Sequence, residues 1–410
     1  MSAALGLLRR NRDFRRVFTS TLVTSGGDWF ALIPLLSLLH AVTGGGLAGG
    51  LVLGADTAVF ALLSPYAGTL ADRLDRRRVL VVTEAVCAVL ALLLLAVDGR
   101  GTVWVAVLAV SGIAAAKAFA TPAASAAIPN LVAAEDLALA NVMNGVAWGS
   151  MLAVGAALGG LAAAAFGTST CFVIDAVSFV LSALLVARCR TPFQQPRERG
   201  THPAFGAAVR EAVAFARADR SVLALLAAKP GVAFANGALV LFPLLADGVF
   251  HEGATGVGLL YAARGLGALL GPLLLGRRSR DDSALWWLLA AGITSCGTFY
   301  VVVATAPWFW LAVALVAVAH LGGGANWTAS TYGLQRRVPD AVLGRISSAD
   351  FMLVTLVIAL NQVVAGLLSE VVATRLLIGG FGAASVAYAA VWLTATRNLR
   401  RTPAVAASGV

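Results

Sequence analysis

A chain of 410 residues with 59% hydrophobic and 12% charged side chains is too apolar for water-soluble domains to cover with polar surface, so its solvent is lipid. Lipid forbids open sheet edges, and no alternating run about ten residues long recurs as an outer-membrane barrel would need, which leaves an all-α integral membrane protein. The net charge of +10 does not argue for nucleic acid, because the basic residues fall where a membrane protein keeps its cytoplasmic loops.

The amino-terminal stretch is basic, with Arg9, Arg10, Arg12, Arg15 and Arg16, and no short apolar segment with a small-residue cleavage site follows it. The first apolar run is therefore expected to stay as a span. A hydrocarbon core about 30 Å thick takes about 20 apolar residues per helix. Runs of that kind occupy residues 16–40, 47–71, 79–97, 102–124, 138–165 and 168–187, and then 221–245, 255–276, 284–304, 308–332, 349–372 and 375–396. Twelve transmembrane helices are predicted. Between the sixth and seventh, residues 188–220 carry Pro192, Pro196 and Pro203 followed by an amphipathic pattern over 205–215. This stretch reads as a cytoplasmic hinge between an N-terminal bundle, 1–187, and a C-terminal bundle, 221–396, with a tail at 397–410.

Basic residues favour cytoplasmic loops. With the amino terminus inside, 25 of the 30 lysines and arginines lie on that side, and only Arg100 and Arg375 remain in outer loops. Both termini are thus expected in the cytoplasm. The preference for arginine, alanine and glycine points to a GC-rich bacterial genome, and so to a bacterial cytoplasmic membrane. The halves also repeat one another: residues 30–36 (FALIPLL) match 239–245 (LVLFPLL), and 61–65 (ALLSP) match 268–272 (ALLGP), at offsets of 209 and 207. Pro129 and Pro339 precede the fifth and eleventh spans in the same register. Three matches in order at nearly one offset indicate two pseudo-symmetric six-helix bundles.

Between the second and third spans stands Gly68-Thr-Leu-Ala-Asp72-Arg73-Leu-Asp75-Arg76-Arg77-Arg78. This loop resembles the signature of the major facilitator superfamily, with Asp75 where the family usually has glycine. The resemblance implies the twelve-helix major facilitator fold and a gating motif of Gly68, Asp72, Arg73, Arg76 and Arg77, in which a carboxylate meets the positive end of a helix. It covers nearly the whole chain. Ser25-Gly-Gly-Asp28-Trp29, Thr121-Pro122, Ile128-Pro129-Asn-Leu and Gln335-Arg-Arg-Val-Pro339 are similar to a branch that holds enterobactin exporters and macrolide efflux proteins. Gly155, Gly159 and Gly160 in the fifth span resemble the glycine motif of antiporters, with Ala156 in place of its proline, and the fourth span lacks the arginine that antiporters of the superfamily often carry.

Each ionisable group inside a span costs roughly 3 kcal/mol or more near the bilayer centre unless paired or hydrated. Asp28, Asp56, Glu84, Lys117, Asp175, Lys229, Arg264 and His320 are such groups. Through the resemblance, Asp28, Lys117, Lys229 and His320 fall on the four cavity-lining spans. At 1.5 Å per residue Asp28 lies about 18 Å above the inner face, within reach of a long Lys117 side chain. That pair either fixes packing or handles protons and substrate. Lys229 precedes Pro230 and either contributes to the cavity or is a satisfied residue or one snorkelling to the inner edge. Asp56 and Arg264 are candidates for a switching pair or for separate static pairs. His320, beside Gly322, Gly323 and Gly324, is a titratable ring next to a stretch expected to be flexible. Glu84 and Asp175 are placed nearer wet span ends, and Trp148, Tyr261, Asn326 and Trp327 are further cavity candidates.

Cys87, Cys171, Cys189 and Cys296 have no metal-ligand spacing, and no nucleotide loop or catalytic arrangement is present. The expectation is a non-enzymatic secondary transporter with no cofactor and no metal. Its partners are a small-molecule substrate, a coupling proton and the lipid bilayer, and the branch resemblance favours efflux of a hydrophobic or amphipathic compound. An ion-coupled importer and a non-transporting sensor of the same fold are the alternatives.

Overall fold

In the computed structural model residues 2–71, 74–194, 210, 214–275 and 282–401 are described, and among them there is helix but no strand. Caps set the helix ends. α1 (Ser2–Arg10) is followed by Asn11, whose side chain accepts from the amide of Phe14 at 2.9 Å and opens α2 (Arg12–Thr43). α2 stops where Gly44 takes φ +76°, its amide donating to the carbonyl of His40 at 2.8 Å. α3 (Leu47–Ala71), α4 (Arg76–Leu93), α5 (Val103–Leu131), α6 (Leu137–Phe166) and α7 (Thr168–Ala187) follow. Asp75 caps α4 by accepting from the amide of Arg78 at 2.8 Å, with φ −64°. The position where glycine is usual therefore needs no left-handed backbone here.

The second half holds α8 (Arg220–Leu226), α9 (Ala228–Ala235), α10 (Gly253–Leu275), α11 (Asp282–Ala304), α12 (Phe309–Arg337), α13 (Asp340–Leu368), α14 (Thr374–Ala395) and α15 (Arg397–Arg401). Twelve helical stretches among the described residues are long and apolar enough to cross a membrane, so the chain is the all-α, twelve-span protein expected. The seventh span differs from a plain helix. Beyond α9 it tightens into a 3-10 segment, Asn236–Leu241, and then widens into a π segment, Leu244–Val249. Pro243, between the two, brings no amide to an α-helical ladder. The eleventh span also differs, because α13 starts at Asp340, nine residues before the predicted edge. The helix runs on through Arg345 without a break, because a charge interrupts hydropathy and not the backbone ladder.

Contacts divide the chain into two units, Met1–Arg199 with Ala246–Ala262, and Gly200–Leu245 with Ala263–Val410. In the first, α2 packs on α6 and α7, α3 on α5, and α4 on α5 and α7. In the second, α11 packs between α12 and α14, and the 3-10 segment lies on α13. Outward positions such as Val89, Val177 and Leu360 stay exposed, as lipid-facing side chains do, and exposed Trp104, Trp308 and Trp310 sit at span ends, where amphipathic rings prefer the interface.

Past α7 the chain folds back onto the first unit. Asp13 accepts from the amides of Arg190 at 2.9 Å and Thr191 at 2.8 Å, from the Thr191 hydroxyl at 2.8 Å, and from Arg16 at 2.7 Å. Arg16 also reaches the carbonyl of Arg188 at 2.8 Å. The carbonyl of Phe193 takes bonds from Arg76 at 3.3 Å and Asn130 at 3.1 Å, while its ring is buried with Phe14, Leu80, Ile128 and Cys189. Residues 188–194 are thereby strapped down.

Candidate functional site

The first unit encloses a cavity of about 210 Å³ among α2, α3, α5, α6 and α7. Asp28 and Trp29 of α2, Asp56 and Phe60 of α3, Lys117 of α5, Trp148 of α6 and Asp175 of α7 line it. The ammonium of Lys117 donates to Asp28 Oδ2 and lies 5.2 Å from the centre of the Phe179 ring. Each partner keeps 27% of its side-chain surface, so the pair faces the cavity and is not sealed in packing. Within hydrocarbon such a pair is stable only when its charges neutralise each other and the remaining donors find partners or water.

Glycines let the other walls approach. A Cβ on Gly27 would come within 2.5 Å of Asp175 Oδ1, so the glycine before Asp28 is what admits α7 and its carboxylate. Gly155 likewise faces the carbonyl of Gly26, Gly159 the backbone of Phe30, and Gly160 the carbonyl of Ala254 and the Cα of Gly258. Gly155 thus brings the α6 glycines against the Ser25–Trp29 motif, while Gly160 faces α10. Asp175 is only 2% exposed and sits midway along α7, and Glu84 is at the middle of α4 with Oε2 buried and accepting no bond. The expectation that wet span ends account for both is overturned: they belong to the bundle interior beside the cavity. Trp148 lines it as expected, and Tyr261, 1% exposed, sets its ring 6.2 Å from that of Trp29.

The second unit holds another charged centre. Lys229 on α9 donates to Asp350 Oδ2 and, at 2.9 Å, to the Thr331 hydroxyl, and its ammonium lies 5.0 Å from the Trp327 ring. Lys229 is 3% and Asp350 4% exposed, so Lys229 does not snorkel to an edge. Asp350 escaped sequence reading because the eleventh span seemed to begin at Ala349, which made the residue look like a boundary charge. The helix starts nine residues earlier, at Asp340, and runs through Asp350.

His320 is buried, and its Nε2 is 2.9 Å from the Tyr300 hydroxyl. The neighbouring glycines do not loosen the backbone as expected. α12 runs unbroken through Gly322, Gly323 and Gly324, and a Cβ on Gly324 would come within 2.5 Å of the carbonyl of Ala268. Small residues here serve helix approach. Asn326 is fully buried and donates to the carbonyl of Leu289 at 2.9 Å. Asp56 belongs to the first unit and Arg264, on α10, to the second. Of the gating motif, Asp72 and Arg73 lie outside the described residues and Gly68 is placed within α3. Arg76 is 7% exposed and donates to the carbonyl of Ala126 at 2.8 Å, and Arg77 donates to that of Ala187.

Residues 18–360 match the sequence profile of the Major Facilitator Superfamily. The chain is 30% identical over 394 residues to the enterobactin exporter EntS of Shigella boydii serotype 4 (strain Sb227), covering 84% of this chain and 82% of that one. It is 23% identical over 316 residues to macrolide efflux protein A of Streptococcus pyogenes, with coverage of 76% and 78%. Among solved structures, a bacterial homolog of the human lysosomal transporter Spinster superposes with a TM-score of 0.74 at 18% identity, over 96% of this chain and 98% of that one. The nucleoside transporter NupG superposes with a TM-score of 0.70 at 14% identity, over 94% and 99%. At those identities the structures speak for the shared fold alone.

Proposed function

Because the chain belongs to the Major Facilitator Superfamily, a family of membrane transporters and not of enzymes, we propose that it exports a small hydrophobic or amphipathic compound from the bacterial cytoplasm in exchange for protons. The observation that carries this reading is the Lys117–Asp28 pair facing a cavity walled by Trp29, Phe60 and Trp148. Aromatic walls suit an apolar substrate, and a carboxylate whose counter-charge is one flexible lysine is suited to exchange that partner for a proton. Support for the direction comes from the two efflux relatives. The hinge at 188–220 joins bundles 1–187 and 221–396, and alternating access to the cavity follows from their rocking. Both termini face the cytoplasm in this reading, and the gate is formed by Gly68, Asp72, Arg73, Arg76 and Arg77.

The test is transport in vesicles with an imposed pH gradient. Asp28→Asn abolishes gradient-driven movement and spares exchange that needs no proton cycle. Full gradient-driven transport by Asp28→Asn would sink the coupling role. An importer is the second reading, favoured by Ala156 and by the absence of an arginine early in the fourth span. Comparing compounds retained by cells with and without the protein separates the two, since export lowers retention and import raises it.

A further inference from the structure

The cavity holds more acids than bases. Three carboxylates, Asp28, Asp56 and Asp175, line it against one ammonium, and that ammonium is already committed to Asp28. Among the described residues Asp56 receives no hydrogen bond, and Asp175 receives one, from the Ser178 hydroxyl to Oδ1 at 3.3 Å. Asp175 Oδ2 is thus without a donor in a side chain that is almost wholly buried. Glu84, from α4, adds a fourth acid nearby with its own unpartnered buried oxygen. Among the described residues no second basic side chain lines the space. A carboxyl in such surroundings is held as an anion only beside positive charge and otherwise takes up a proton, because burying the bare anion is among the costlier arrangements in a membrane. The remaining wall, Trp29, Trp148 and Phe60, offers ring faces, whose negative quadrupole attracts a weakly hydrated cation.

Resting on the exporter reading above, we propose that the substrates of this cavity are monovalent organic cations with an apolar or aromatic body, held by Asp56 and Asp175 and by the rings of Trp29, Trp148 and Phe60. Asp28, whose resting counter-charge is Lys117, is not the substrate's. Protons compete with the substrate for the same two carboxylates, so loading one disfavours the other. An anionic compound of equal size finds the one lining ammonium already paired and is rejected.

The experiment uses the full-length protein purified in detergent and three probes of similar shape: phenyltrimethylammonium, neutral tert-butylbenzene and anionic benzenesulfonate. Binding is measured by calorimetry and corrected for uptake into protein-free micelles. The cation is expected to bind at least about tenfold more tightly than either of the others, a gap that one screened charge contact at partly buried range supplies. Acidification weakens cation binding. Asp56→Asn lowers cation affinity by about tenfold and leaves tert-butylbenzene unchanged, and it is the safer variant because Asp56 makes no hydrogen bond that folding would miss. Asp175→Asn has the same sign. Equal binding of the three probes, preference for benzenesulfonate, no binding of the cation, or cation affinity indifferent to Asp56→Asn each overturns the proposal. Lowered cellular retention of a neutral or anionic compound alongside any of these results leaves the exporter reading standing and removes only the charge preference. Cation binding without transport in vesicles does the reverse.

Discussion

The two buried lysines differ in what surrounds them, and so in what their loss does. Lys229 and Asp350 are sealed, with side-chain exposures of 4% and 5%, whereas Lys117 and Asp28 open to a cavity. Removing one member of a sealed pair strands the other charge in a low dielectric, which costs about 3–5 kcal/mol, while an apolar pair of similar volume is tolerated. Asp350→Ala should therefore lower the thermal midpoint strongly, and Lys229→Met with Asp350→Leu should recover most of the loss. A single Asp350→Ala that melts like the wild type would show the pair to be dispensable. Asp75 sits at the other end of the scale. Replacing an N-cap carboxylate with alanine costs about 1 kcal/mol, and with glycine only a few tenths, because glycine leaves the first-turn amides open to water. Thermal melts should rank Asp75→Gly close to wild type and Asp75→Ala below it. The Asp28–Lys117 pair was legible in the sequence because two opposite charges stood at compatible depth in otherwise apolar runs. Asp350 was not, since hydropathy draws a span edge at the first charge and a helix ignores it.

At the scale of elements, motif and packing coincide in ways that spacing alone does not reveal. The α6 glycines read as an antiporter-like signature, but their partners, Gly26 and Phe30 on α2, become known only from the fold. The irregular seventh span was likewise illegible: apolar runs report length and not the change from 3-10 to π on either side of Pro243. The loop between α3 and α4 carries the next prediction. Asp72→Asn and Arg73→Ala should each slow transport without lowering the amount of inserted protein, because a gate charge is removed and no span is touched. Unchanged initial rates in both variants at matched abundance would reject the gating role. Arg76 and Arg77 are expected to behave differently from these two. Their guanidinium groups hold carbonyls of Ala126, Phe193 and Ala187, so Arg76→Ala should cost stability as well as rate.

For the molecule as a whole, twelve spans and the family were readable from composition, periodicity and one loop, because lipid leaves a chain few options. Orientation rests on the distribution of arginines and is tested by labelling. A cysteine placed at Arg100 should react with an impermeant maleimide added outside, and one at Arg197 only after permeabilisation; the opposite pattern would invert the topology. The native thiols leave this assay clean, since all four are buried, and at Cys189, outside the spans, burial together with the Asp13 carboxylate pushes the thiol up to about 11, well above the pH of labelling. The strap formed by residues 188–194 bears on how the protein is made. A bundle whose sixth helix has just left the ribosome still lacks Phe193 for its hydrophobic floor and the amides of Arg190 and Thr191 for Asp13. The nascent first half matures only when seven more residues have emerged, and a chain severed after Ala187 is a worse folding unit than one severed after Gln194.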